Sequence, residues 1–213
     1  MRLYHKNNNM KKTLLIIISI LLSIKVSAQS AEDFLNSVIE KNKSYNDISI
    51  NFEYSFLDEE SGMSNMTTNG YAYMKGNSYI VKIYDQEMIS NGEVVWTHLI
   101  DDQEVMITEV SEENNNSPLA IIDSFSKDVN VSFDVSDNNI TTLLIEEKDK
   151  TTFEILSISV DKDLKITEIL IVTLDGETII YKIKSFKTNQ DLPDSMFFFD
   201  EKIHPNVEVI DMR

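Results

Sequence analysis

The side chains able to make and break bonds are few in this chain, and their spacing suits no common chemistry. Beyond residue 28 the imidazoles are His98 and His204, far apart in sequence, and His98 is followed by Asp101 and Asp102 rather than a second histidine. That spacing gives neither a metal-ligand set nor a general acid and base close in sequence. Cysteine is absent, which removes thiol ligands, thiolate nucleophiles and disulfides together. No glycine-rich phosphate loop, nucleophile elbow or zinc-binding helix motif occurs. The acidic pairs Glu59-Glu60, Glu112-Glu113 and Glu146-Glu147 fall in predicted turns or strand ends, where a solvated charge is expected. Asp161-Lys162-Asp163 has calcium-loop spacing but lacks the glycine and the closing glutamate. The expectation is a protein that is not an enzyme and needs neither metal nor cofactor.

What the chain does supply is apolar surface. Phe52, Tyr54, Phe56, Tyr71, Tyr73, Tyr79, Val81, Trp96 and Leu99 place large side chains on neighbouring predicted strands, and Met63, Met66, Met74, Met88 and Met106 add adaptable ones. Such stripes read first as core. The other reading is a cavity for a variable apolar ligand.

These residues sit on a simple scaffold. Residues 1–28 run from a basic start through TLLIIISILLSI to the small residues Val26 and Ala28. That is the pattern of a secretory signal peptide cleaved near Ala28-Gln29; its apolar run is shorter than the roughly 20 residues a membrane-spanning helix needs. Met10, just before Lys11-Lys12, is an alternative start to Met1. The leader holds five basic residues and no acid, so residues 29–213 carry 14 basic against 36 acidic side chains, a net charge of −22. Such a surface repels nucleic acid and anionic membranes. With no cysteine to acylate, the exported chain is not itself a lipoprotein, and residues 29–213 are read as a single domain.

From Ser30 to an end near Lys41–Ser44 the sequence predicts an amphipathic helix with Phe34, Leu35, Val38 and Ile39 on one side. Ile48, Ile50, Phe52, Tyr54 and Phe56 alternate with polar residues, the period-two pattern of a half-buried strand. A meander follows, punctuated at Gly76-Asn77, Asn91-Gly92 and Asp101-Asp102. In SPLAIIDSF, Pro118 starts a short helix bearing Leu119, Ile122 and Phe125. Downstream hairpins include Leu174 to Thr178, where Asp175-Gly176 predicts a two-residue turn. Proline-marked gaps precede Met196–Phe199 and Val207–Ile210. The prediction is mainly β: about ten to eleven antiparallel strands with an N-terminal helix and a short helical cover.

The order of leader, helix, aromatic strand, GYAYMKGNSYIVKI, MISNGEVVWTHLIDDQEV, SPLAIIDSF and FFFDEKIHPNVEVID resembles the LolA-like periplasmic carriers of outer-membrane lipoproteins. The most specific parts are S-N-G-x-x-x-W (Ser90 to Trp96) and F-x-x-x-x-x-x-P-x-V-x-V-I-D (Phe198 to Asp211). The resemblance implies an unclosed antiparallel β-barrel whose apolar cavity holds acyl chains. In that picture Phe52, Tyr54, Phe56, Tyr71, Tyr73, Val81, Trp96 and Leu99 line the cavity, and Leu119, Ile122 and Phe125 form the lid. It also implies a periplasmic monomer that takes acylated lipoproteins from an inner-membrane exporter to an outer-membrane acceptor. The alternative is a lipid- or lipoprotein-sensing regulatory domain of the same fold. One departure stands out: where many members carry an arginine tethering the lid, this chain has Ile80 or its neighbours, and Lys82 is the only basic residue on that strand.

Overall fold

The computed structural model describes residues 29–57, 66–110, 128–136, 139–151 and 153–213. Helix α1 (Ala31–Lys43) opens on Glu32 and Asp33 and ends with Lys41 and Lys43, charges that suit the helix dipole at both ends. Its buried residues are Ala31, Leu35, Val38, Ile39 and Asn42, so of the side the sequence marks as apolar only Phe34 stays half-buried.

Twelve strands follow among the described residues: β1 (Ile48–Leu57), β2 (Met66–Lys75), β3 (Ser78–Ile83), β4 (Gln86–Ser90), β5 (Val94–Leu99), β6 (Glu104–Glu109), β7 (Val129–Ser136), β8 (Ile140–Glu147), β9 (Ile155–Asp161), β10 (Ile166–Val172), β11 (Thr178–Thr188) and β12 (Glu208–Asp211). They form one sheet in the order β12-β6-β5-β4-β3-β2-β1-β11-β10-β9-β8-β7, so the sheet is unclosed. Every pairing is antiparallel except β12 on β6. The mainly β, unclosed architecture is therefore as expected, with more strands than the ten to eleven read from sequence. One source of the difference is β4, whose Gln86-Glu87 start hides it and whose entry turn needs no glycine, because Tyr84 itself takes φ 55°. Met196–Phe199 is not a strand, since Asp194–Phe197 coils into a 3-10 turn.

The turns set which residues share a face. The S-N-G motif is structural: Asn91 Oδ1 accepts from the main-chain N–H groups of Glu93 and Val94, each at 2.9 Å. Ser90 Oγ donates to the Val94 carbonyl at 2.9 Å and accepts from Gly92 N–H at 3.1 Å. The β10–β11 hairpin corrects the sequence reading. Thr173 and Glu177 close it through Thr173 N–H to Glu177 O at 2.8 Å, leaving Leu174, Asp175 and Gly176 as a three-residue loop with Gly176 at φ 84°. A two-residue turn would have slipped the pair by one residue and turned one strand over. As built, Ile171 lies opposite Ile179 and Ile169 opposite Tyr181.

Gly70 is demanded by packing. A Cβ there would lie 2.5 Å from the Phe52 ring and 2.6 Å from the main-chain oxygen of Lys82. The ring could shift but the neighbouring strand cannot do so cheaply, so Gly70→Val should cost about 3 kcal/mol of stability; urea unfolding at equilibrium measures it.

Candidate functional site

The register divides the sheet into two faces with different covers. On the first, Leu143, Ile145, Leu156, Ile158 and Val160 of β8 and β9 pack with Leu35, Val38 and Ile39 of α1 in one buried cluster. Following the pairings from β9 through β10 and β11 to β1 puts Phe52, Tyr54 and Phe56 on this same helix face, opposite Ile183, Tyr181 and Ile179. From β1 the row continues through Ala72 to Val81 and Met88, and Leu99 falls on the same side of β5.

The structure therefore brings five of the eight expected cavity residues together: Phe52, Tyr54, Phe56, Val81 and Leu99. Phe52 is 5% exposed, while Tyr54, Phe56, Val81 and Leu99 are only half-buried. Rings continue edge to face from Phe52 to Tyr181 (5.7 Å), Tyr181 to Tyr54 (5.3 Å) and Tyr54 to Tyr84 (5.6 Å). Burial pushes the Tyr181 hydroxyl up to about 12, with Tyr54 adding to it. Tyr54 is raised by burial, then by Tyr84 and Glu177. Both phenols thus stay neutral at ordinary pH, as an apolar surface requires. Sequence reasoning did not pick out Tyr181, Ile179, Ile183, Ile169 and Ile171, which extend this half-buried surface. Their alternation was visible, but their facing depended on the hairpin register.

Tyr71, Tyr73 and Trp96 lie apart from these five. They point to the opposite face, because residues one apart on a strand alternate. There they pack with Ile80, Ile89 and Phe197 under the C-terminal segment. Trp96 lies 5.9 Å from the Phe198 ring. Ile80, the position in question for the family arginine, is 7% exposed in this cluster, and Lys82 is on the same outer face. No basic side chain of β3 therefore faces the helix side. The lid residues Leu119, Ile122 and Phe125, and the leader, lie outside the described residues.

A buried aspartate fastens the outer cover. Asp47, 2% exposed, accepts from the main-chain N–H groups of Gln190 (2.8 Å), Asp191 (2.9 Å) and Leu192 (3.4 Å). Lys75 adds a bond to the Leu192 carbonyl and an ion pair with Asp194, both at 2.6 Å.

Farther along, His98, Phe199 and His204 meet as rings: His98 to His204 at 4.8 Å, and Phe199 stacked on His204 at 4.9 Å. Burial depresses His98 below its ordinary 6.5, helped by His204 and opposed by Glu87, with Lys82 lowering it further. A lowered folded-state value means the unfolded chain takes the proton first. The stabilisation by neutral His98 is complete above about pH 6.5 and is lost as pH falls through the folded value. Thermal unfolding between pH 7 and pH 5 should therefore show stability falling with acid, and His98→Asn should flatten that slope. A cavity of about 500 Å³ opens beside these rings, lined by Tyr71, Lys82, Glu87, His98, His204 and Asn206 among others. Among the described residues no cluster of three or more metal-ligating side chains occurs, and no helix is long and apolar enough to cross a membrane.

Residues 80–200 match the family model described as outer membrane lipoprotein carrier protein LolA, more than half of the chain. An outer-membrane lipoprotein carrier protein of Francisella philomiragia is 25% identical over 94% of this chain and 98% of its own length. One from Francisella tularensis is 23% identical over 95% and 98%. An uncharacterised conserved protein of Thermus thermophilus shares the fold at TM-score 0.55 and 11% identity, over 83% of this chain and 96% of that one.

Proposed function

Because the chain belongs to the outer membrane lipoprotein carrier (LolA) family, we propose that residues 29–213, freed of their leader, form a monomeric periplasmic carrier that takes lipoproteins from an inner-membrane exporter to an outer-membrane acceptor. The acyl chains lie on the helix face, against Phe52, Tyr54, Phe56, Val81, Leu99 and Tyr181. Leu119, Ile122 and Phe125 close over them as a lid.

The observation that carries this reading is the broad apolar helix face, most of whose aromatic and aliphatic side chains beyond α1 are only half-buried. Each methylene withdrawn from water gains about 0.8 kcal/mol, so an acyl chain of about 15 methylenes stands to gain about 12 kcal/mol if fully buried. Partial burial suits a carrier better, because its cargo must leave again. Closure of the lid on the empty face competes with cargo and helps expel it, provided the two states differ little in free energy. No covalent step is involved.

The test is release. Membranes bearing a triacylated lipoprotein and its exporter, incubated with the purified protein, should yield a soluble one-to-one complex. Lipoprotein that stays in the membrane pellet at every carrier concentration rejects the proposal.

A further inference from the structure

The cavity on the outer face is walled by one cross-strand row. Tyr71 of β2 lies opposite Lys82 of β3, Lys82 opposite Glu87 of β4, and Glu87 opposite His98 of β5. The stretch from Ile203 to Val207 closes the other side and brings His204 into it.

Two features of this row are left unexplained by folding. Opposite charges facing each other across antiparallel strands normally pair, yet among the described residues the Lys82 ammonium makes no ion pair with Glu87. The Glu87 carboxylate instead accepts the Tyr71 hydroxyl at 2.6 Å. Burial first, and this bond second, raise the Tyr71 hydroxyl well above its usual range, so it remains the donor. In addition, His98 is 4% exposed and its Nδ1 is buried with no hydrogen-bond partner, an omission that costs about 1–3 kcal/mol. The row thus holds one uncommitted cation, one carboxylate with an oxygen free of Tyr71, and two imidazoles around an open space.

We propose that this cavity is a subsite for a small zwitterion, its anionic group held by the Lys82 ammonium with the imidazoles of His98 and His204, and its cationic group by the Glu87 carboxylate. The charge balance favours this class over either half alone. A simple anion would sit against Glu87 and cross the field of a chain that is strongly negative overall. A simple cation would sit against Lys82. A ligand carrying both charges meets neither cost, and a cavity of about 500 Å³ is in the range of small-molecule sites. Tyr71 is the positioning residue, holding Glu87 away from Lys82 so that both charges stay available. The subsite lies on the face opposite the proposed acyl surface and stands or falls independently of it.

Calorimetry on residues 29–213 with glycerophosphoethanolamine, whose phosphodiester and ammonium carry one charge each, tests this, with glycerol 3-phosphate and ethanolamine as the two half-probes. The zwitterion should bind, each half-probe at least tenfold more weakly, and the imidazole resonances of His98 and His204 should move on binding. Lys82→Met and Glu87→Gln should each weaken the zwitterion at least tenfold. Phosphatidylethanolamine vesicles separate the sources: binding to them that soluble zwitterion displaces identifies a lipid headgroup, and binding of the soluble compound alone identifies a free metabolite. No heat and no histidine shift up to about 10 mM zwitterion, or half-probes binding as tightly as the whole, overturns the proposal.

Discussion

Tyr54→Asp is expected to lower affinity for a triacylated lipoprotein by tenfold to a hundredfold, and Tyr54→Leu to leave it within a few fold. Both variants lose the edge contacts to Tyr84 and Tyr181 at 5.6 and 5.3 Å, each worth about 0.5–1.5 kcal/mol. Tyr54→Asp pays in addition for a carboxylate at a half-buried strand position, so affinity is read at a temperature where urea unfolding shows both variants fully folded. They differ in what they offer a hydrocarbon. Leucine keeps the surface apolar, whereas a carboxylate must stay hydrated, which denies the ligand several methylene contacts at about 0.8 kcal/mol each. Trp96→Ala provides the opposite result. Trp96 packs on the outer face with Ile80, Ile89 and Phe197, so its loss should cost about 3 kcal/mol of stability and leave lipid affinity unchanged. Fluorescent fatty-acid titration together with urea unfolding separates the two behaviours. Equal loss of affinity in Tyr54→Leu and Tyr54→Asp would make Tyr54 a packing residue only.

Asp47→Ala is expected to be the most destabilising single change on the outer face. The carboxylate is buried and accepts three main-chain N–H groups from Gln190, Asp191 and Leu192, while its own carbonyl accepts from Asn189 N–H at 3.0 Å. Asn189 and Asp191 hold φ values of 54° and 58°, conformations that non-glycine residues adopt only at a cost. Bonds to a charged acceptor are worth about 1.5–3 kcal/mol each, and donors left unpaired add their own penalty. A loss of about 4 kcal/mol follows, which for a domain of this size lowers Tm by roughly 8–16 °C. Asp47→Asn retains one accepting oxygen and should fall between. The C-terminal segment should become protease-sensitive before the rest of the sheet does.

Much of this organisation was legible in the residues, and the exceptions share a cause. The β1 alternation placed Phe52, Tyr54 and Phe56 on one face because its other side is polar: Ser49, Asn51, Glu53 and Ser55. β2 gave no such guide. In Gly70-Tyr71-Ala72-Tyr73-Met74 both sides are apolar, since Met74 packs with Ile48 and Tyr79 while Tyr71 and Tyr73 meet Phe197. A strand covered on both faces loses its alternation, so by sequence its tyrosines, like Trp96, are indistinguishable from the side chains of the helix face. The clue lay in Phe197-Phe198-Phe199, an apolar run near the C-terminus that needs a surface to cover. The facing of the β10–β11 residues is hidden for another reason. Asp-Gly signals a tight turn without fixing its length, and one residue of loop decides which side chains face the helix.

Side-specific cross-linking tests the central claim most directly. A photoreactive residue replaces Tyr54 on the helix face or Trp96 on the outer face, and each protein is exposed to a triacylated lipoprotein and to its unacylated form. The account predicts adducts from position 54 with the acylated form alone, carried on the acyl chains, and none from position 96. Adducts from position 96 in equal yield, or adducts from position 54 that do not depend on acylation, would contradict it.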